Sequence, residues 1–297
     1  MCFMELLCRT AYIKHTLAAR GFRFDKRQGQ NFLTAPWVPE RMASLFDKKH
    51  TVLEIGPGFG ALTAALAGTC GEVVAVEKDP LLLPILRDNL SCFQNITLIE
   101  GDALRLDLAS LMPADRQLAV CANLPYSITT PLLTRIVESD AFDPIVVMVQ
   151  KEVARRLAAS PSTPEYGAIT VFTAMHCLPS ILFDVGSECF VPRPAVTSSV
   201  IRLDRLPPDP ERERLMPAAL RLVKAAFASR RKTLLNTLSA GTGLSKETVT
   251  KHLKAVDIDP SARGETLSME RYIALAKEMV SSKTIPHNPA CGGIMPE

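Results

Sequence analysis

The chain is expected to fold as a doubly wound α/β domain followed by a small all-helical one, and three observations predict this. From Thr51 onward, short apolar runs alternate regularly with helical segments. The runs are rich in β-branched residues and apolar on both faces, as strands of a helix-covered parallel sheet must be. Beyond the Pro-rich, charged stretch "DRLPPDPERERLMP", which reads as a linker, only helical patterns remain.

In chain order, residues 1–30 read as a helical lead-in that ends in the basic loop "KRQGQNFL". "TVLEI" is a strand, "GALTAALAG" a helix opening on glycines, and "EVVAV" the next strand. "PLLLPILRDNL" is helical despite Pro84, followed by the strands "ITLIEG" and "LAVCA". "TPLLTRIVES" is a helix with Thr129 or Thr130 as N-cap and Pro131 in its first turn. "PIVVMV" is a strand and "QKEVARRLAA" a helix. "LPSILFDV" and "SSVIRL", joined by "FVPRPAV", should give the sheet an antiparallel finish. The helices "AALRLVKAAFASRRKTLLNTL" and "SMERYIALAKEMV" close the fold, the latter capped by Ser268.

Composition excludes several classes. In 297 residues, 47% are hydrophobic and the formal net charge is only +3, so any nucleic-acid surface must be local. The eight cysteines form no C-x-x-C pair and the histidines are dispersed, which argues for a reducing cytoplasm and no structural metal. The start carries Glu5 where a signal peptide wants positive charge. No run approaches the roughly 20 apolar residues of a membrane span, so no membrane partner is expected.

"VLEIGPGFG" joins the first strand of the alternation to its helix, and Gly56, Gly58 and Gly60 permit a tight turn with close backbone approach to a ligand. Glu77 ends the next strand, about 20 residues on, where a carboxylate can accept both hydroxyls of an adenosine ribose. A dinucleotide would want loop N–H groups on its phosphates. Glu54 beside the loop would repel a pyrophosphate, and Pro57 and Phe59 close the loop down. S-adenosylmethionine, a sulfonium without phosphate, fits better. Asp102 in "EGDAL" is placed to accept from the adenine amino group. The blander alternatives are a solvated or capping role for Glu54 and a helix N-cap for Asp102.

The strand "LAVCA" ends in "NLPY", Asn123 to Tyr126. Methylating an exocyclic aromatic amine requires holding a nitrogen whose lone pair is delocalised into the ring. The Asn123 side-chain carbonyl can accept one N–H bond and the Leu124 backbone carbonyl the other, since Pro125 fixes the turn that presents it. Tyr126 offers a stacking face worth on the order of 1–3 kcal/mol per base, comparable to the few kcal/mol of unstacking that base from RNA. The alternative is a Pro-containing turn with a core Tyr.

Eight segments in order carry a resemblance: "GQNFL", "VLEIGPGFGALT", "VEKD", "GDAL", "NLPY", "VQKEVARRL", "FVPRPAVTSSV" and "FASRRKTLLN". From about Lys26 to Met279 the chain resembles the ribosomal RNA adenine N6,N6-dimethyltransferases, and among them the bacterial small-subunit (16S) branch. The resemblance implies a Rossmann-like, seven-stranded S-adenosylmethionine-dependent methyltransferase sheet over 26–205 and a helical domain over 206–283 that contacts RNA. Residues 1–25 are then an N-terminal extension, longer than the family implies, and 284–297 a disordered tail. It also implies that Asn31 and the Leu33 backbone close over S-adenosylmethionine and that Gly56 packs against its methionine part. Glu77 is to bind the ribose and Asp102 the adenine amine, with Asn123 between cofactor and target. Phe190 is to sandwich the target adenine opposite Tyr126. The implied substrate is 16S ribosomal RNA in the assembling small (30S) subunit, where two adjacent adenosines of a 3′-terminal hairpin loop each receive two methyl groups. A monomer is expected. Arg193 stands where the family often has a small residue.

Arg230, Arg231 and Lys232 form the sharpest basic cluster, expected inside a helix with the apolar stripe Val223, Phe227, Leu234 and Leu238. They are phosphate-binding candidates, as are Lys26 and Arg27; a solvated or interdomain face is the alternative. A nicotinamide oxidoreductase on the same fold would lack an identifiable catalytic His/Lys/Tyr set. A non-catalytic assembly or transcription factor would have no use for an intact tetrad.

Overall fold

A computed structural model describes residues 3–22, 30–113 and 116–286. In chain order the elements are α1 (Phe3–Leu7), α2 (Thr10–Ala19), β1 (Phe32–Leu33), α3 (Trp37–Ala43), β2 (His50–Ile55), α4 (Ala61–Thr69), β3 (Glu72–Glu77), α5 (Leu82–Asn89), β4 (Ile96–Glu100), β5 (Gln117–Asn123), α6 (Thr129–Glu138), β6 (Ile145–Gln150), α7 (Lys151–Leu157), α8 (Ala168–His176), β7 (Cys177–Val185), β8 (Phe190–Val191) and β9 (Ser198–Arg205). Four helices follow: α9 (Pro210–Phe227), α10 (Leu234–Thr242), α11 (Lys246–Ala255) and α12 (Met269–Ser281). Two compact units result. One holds the chain up to Ala154 with Ser180–Asp204, the other Arg155–Pro179 with the chain from Arg205 onward.

The first unit is built on a seven-stranded sheet of order β4-β3-β2-β5-β6-β9-β7, as the α/β expectation requires. β2 pairs in parallel with both β3 and β5, β3 with β4, and β5 with β6. β9 runs antiparallel to β6, from Ile145↔Leu203 to Gln150↔Ser198. The inner parallel strands are mostly apolar and buried because helices cover both faces, whereas the edge strand β4 is partly exposed. One cluster joins Val52, Val73, Cys121, Val146 and Met148 of the sheet to Val38, Met42, Leu62 and Leu66 of α3 and α4. A second joins Leu82, Ile85 and Leu86 of α5 to Met4, Leu7, Ile13 and Leu17, so the lead-in helices pack into this unit. Pro84 is accommodated because it lies in the first turn of α5, where an N–H has no intrahelical partner to lose.

Phe32–Leu33 and Phe190–Val191 were expected as loop, yet they form a small antiparallel ladder, Leu33 opposite Phe190. Two residues each, 158 positions apart, they give no pattern that a period could reveal.

The second unit is helical. Residues 155–179, placed by the sequence reading within 26–205, group here with the C-terminal helices. α8, unexpected in the β-branched run "AITVFTAMH", is held at its start by the Gly167 N–H, which donates to Thr170 Oγ1 at 3.0 Å. The core centres on Tyr272, fully buried, whose hydroxyl donates to the Gly264 carbonyl at 2.9 Å. Tyr166 donates likewise to Leu267 at 2.7 Å. Ser268 sits at the N-cap position of α12.

One local expectation fails here. Arg230, Arg231 and Lys232 are not inside a helix: α9 stops at Phe227 and α10 starts at Leu234. The Lys232 N–H bonds to the Ser229 carbonyl at 3.2 Å and Thr233 is extended, so the three cations project from an exposed turn. Val223, Leu234 and Leu238 are buried as expected, but they come from two helices. Lys26, Arg27 and the last residues of the 284–297 tail lie outside the described residues. Among the described residues no helix is long and apolar enough to cross a membrane.

Candidate active site

The chain leaves β2 for β3 on one side of the sheet centre, while β5 lies on the other. Sheets of this kind place ligands outside the strand carboxyl ends at such a reversal of order. Two loops emerge there, 56–60 after β2 and 123–126 after β5.

The glycine loop is tight. Gly56 donates to the Val76 carbonyl at 3.0 Å, and Gly60 to that of Pro57 at 2.9 Å. Gly58 has φ +59°, and a Cβ there would meet the Phe32 ring at 3.1 Å, so two constraints demand glycine. A Cβ on Gly56 would lie 3.7 Å from Pro125, which puts the glycine loop against the tetrad. Phe59 is buried, its ring edge-on to Tyr12 and Phe32 at 5.6 and 6.4 Å, and anchors the loop from beneath.

Glu77 ends β3 with its carboxylate turned to this loop. Oε2 accepts from the Gly58 N–H at 3.4 Å and Oε1 from Asp79 at 2.8 Å. Burial pushes its pKa up, and the Asp79 and Gly58 N–H groups oppose that. A loop N–H that a phosphate would claim is thus already given to a carboxylate. Asp102 follows β4, its carboxylate bound by Lys78 at 2.9 Å and by the Leu104 N–H at 3.0 Å, which hold it below the usual range. It heads a turn at 103–105, not a helix, so the N-cap alternative is corrected.

Glu54 is neither solvated nor a cap. It is 2% exposed within β2, and its Oε2 has no hydrogen-bond partner. Burial raises its pKa to about 8. The Thr63 hydroxyl is near enough to oppose this but too poorly placed to satisfy either group, and the Glu77 charge adds to the rise.

Asn123 is the last residue of β5. Its Nδ2 donates to the Asn31 carbonyl at 3.2 Å, which orients the amide and leaves Oδ1 to accept. The Leu124 N–H is held by the Met148 carbonyl at 3.1 Å, and its side chain is buried. Pro125, at φ −58°, turns the chain into a single 3-10 turn over Tyr126–Ile128. The Tyr126 hydroxyl is 2.6 Å from Ser198 Oγ; burial raises the phenol pKa and this hydrogen bond opposes it. Ile128, not a threonine, occupies the N-cap position of α6. Thr129 is the first helical residue, its hydroxyl donating back to Pro125 at 3.0 Å.

Asn31 thus reaches the tetrad, and Leu33 reaches Phe190 through the β1–β8 ladder. Phe190 is only 3% exposed and packs in the α3–α4 cluster, so a base reaches its face only if its surroundings give way. Ser198 escaped sequence reasoning. The signal was present in two adjacent serines directly before the apolar pair Val200–Ile201, both fully buried, with Ser199 Oγ donating to Asp184 at 2.6 Å.

The carboxylates beside the loop, Glu77 and Asp79, suit a nucleoside with ribose hydroxyls to donate and a positive charge, while Glu54, its pKa raised to about 8, is mostly protonated near neutrality and adds little charge; S-adenosylmethionine fits this donor and acceptor set.

Comparison with known proteins agrees. A ribosomal RNA small subunit methyltransferase A from Alkaliphilus metalliredigens is 44% identical over 272 residues, covering 88% of this chain and 93% of its own. One of the same name from Streptococcus sanguinis is 40% identical over 283 residues, 89% of this chain and 95% of that one. The crystal structure of a dimethyladenosine transferase from Plasmodium falciparum matches with a TM-score of 0.72 at 21% identity, over 84% of this chain and 98% of that chain, a likeness of fold. The family model for ribosomal RNA adenine dimethylase matches residues 21–280. With that match spanning most of its length, the chain belongs to the ribosomal RNA adenine dimethylase family.

Proposed function

We propose that this protein dimethylates the N6 amino groups of two adjacent adenosines in the 3′-terminal hairpin loop of 16S ribosomal RNA, acting as a monomer on the assembling small subunit in the cytoplasm. The observation that carries the proposal is the orientation of Asn123, whose Nδ2 is engaged by Asn31 at 3.2 Å so that Oδ1 is an acceptor at the strand end. That is the polarity an exocyclic amine needs.

S-adenosylmethionine, when bound, supplies an electrophilic methyl group on a sulfonium. The chain's own residues do the rest. Asn123 Oδ1 and the Leu124 carbonyl accept the two N–H bonds of the adenine amine, favour a more tetrahedral nitrogen and aim its lone pair. After the first methylation one N–H remains, so one acceptor suffices for the second. Tyr126 stacks on one face of the base with its ring held by Ser198, and Phe190 supplies the other face once uncovered. Glu77 takes the ribose hydroxyls and Asp102 the adenine amine of the cofactor, Gly56 lies against its methionine part, and Asn31 and the Leu33 backbone close over it. No strong base is needed because the nitrogen becomes cationic on gaining the methyl group, and its proton, by then acidic, passes to water. The turn at Arg230–Lys232 contacts RNA phosphates, and so do Lys26 and Arg27.

Asn123→Ala tests this. Loss of a positioned donor or acceptor of this kind costs about 10²–10³ in kcat. Methyl transfer to undermethylated small subunits should fall by that order while the melting temperature and subunit binding hold. Transfer at the wild-type rate contradicts the mechanism.

A further inference from the structure

Arg135 lies on α6, the helix that follows the tetrad. In the structure it is half-buried and spends its donors on one short loop. Nη1 donates to the carbonyls of Ala103, at 3.3 Å, and Leu104; Nη2 donates to that of Leu106 at 2.9 Å. One planar guanidinium therefore gathers three carbonyls from residues 103–106, a task suited to a rigid fork of five N–H donors and not to an ammonium.

The loop it gathers is the one that Asp102 opens. Within the loop, the Asp102 carbonyl accepts from Arg105 and Leu106 at 2.8 and 3.1 Å, and its carboxylate from the Leu104 N–H. These bonds tie the carboxylate to the turn, and Arg135 ties the turn to α6. The other ties are ion pairs with Lys78 at 2.9 Å and Arg105 at 3.9 Å, whose side chains are 74% and 87% exposed and whose pairs are correspondingly weak. Gly101 completes the fold-back, since a Cβ there would sit 2.5 Å from Leu106 Cδ1.

We infer that Arg135 is a positioning residue for cofactor recognition: by clamping the 103–106 carbonyls it holds the Asp102 carboxylate where that group distinguishes adenine from a 6-oxo purine. The inference rests on the reading of Asp102 as the acceptor of the adenine amine. A purine with a carbonyl at that position would face the carboxylate with an acceptor, so the hydrogen bond that the adenine amine donates is replaced by repulsion between two acceptors.

The test uses the full chain, calorimetric affinities, and two probes, S-adenosylhomocysteine and S-inosylhomocysteine. Wild type should prefer the adenine compound by at least about tenfold, a difference within reach of one charged hydrogen bond. Arg135→Ala should lose most of that preference, binding the adenine compound about tenfold more weakly with the inosine compound changed less than about threefold. Arg135→Lys keeps the charge without the fork; it should lose at least about threefold of the preference, and it decides the matter if the alanine variant does not fold. A folded variant that binds both probes more weakly by the same factor overturns the inference, because that is what a merely structural role produces. A wild type that binds both probes equally overturns the Asp102 reading, and the inference with it.

Discussion

Glu54→Gln isolates a cost that the fold carries in β2, an inner strand of its sheet. The Glu54 carboxyl is 2% exposed with one oxygen unpartnered, and burial lifts its pKa from 4.5 to about 8. In the unfolded chain it ionises near 4.5. Between these values the folded state binds one more proton than the unfolded state. Stability from this group is therefore complete below pH 4.5, falls as pH rises, and levels off above about 8. At about 1.36 kcal/mol per pH unit the interval amounts to roughly 5 kcal/mol, a ceiling that local relaxation and water entry reduce. Glutamine matches the protonated form in shape and does not titrate. Urea unfolding of the two proteins at pH 5 and pH 9, without cofactor, measures the difference, since titrating groups not coupled to Glu54 cancel and the coupling to Glu77 is the smallest of the causes of its shift. The two should agree within about 1 kcal/mol at pH 5, and the glutamine variant should be more stable by on the order of 3–5 kcal/mol at pH 9. An equal difference at both pH values would refute the reasoning and mean that Glu54 is hydrated or paired.

Cofactor affinity should weaken as pH falls through the raised pKa of Glu77, because the ribose hydroxyls need an ionised acceptor; calorimetry from pH 5 to 8 reads this, and Glu77→Gln should flatten the profile. A wild-type affinity constant across that range would count against the assignment. Arg231→Ala should lower the slope of log affinity against log salt for RNA by about 0.7–0.9 with cofactor affinity unchanged; an unchanged slope removes Arg231 from the RNA surface.

What was legible in the sequence followed from local physics. The strands of the sheet centre stood out as short apolar runs because both their faces are covered, and "NLPY" stood out because Pro125 and Asn123 are poor ways to continue a strand. The turn at Arg230–Lys232 was hidden because Val223, Phe227, Leu234 and Leu238 keep a helical period across it, although Ser229 and Thr233 break the chain there. Glu54 was hidden because a charged residue at a strand end reads as solvated, and only three-dimensional burial shows otherwise. The β1–β8 ladder, the Tyr126–Ser198 bond and the Arg135 clamp join residues far apart in the chain and leave no periodic trace.

The central claim is that the acceptors at the end of β5 direct two methyl groups onto one exocyclic amine. The most direct measurement is transfer of tritiated methyl from S-adenosylmethionine to undermethylated small ribosomal subunits, followed by nucleoside analysis. The account predicts label in N6,N6-dimethyladenosine, and loss of that label with Asn123→Ala. Label confined to another nucleoside, or dimethyladenosine formed equally well by the alanine variant, would contradict it.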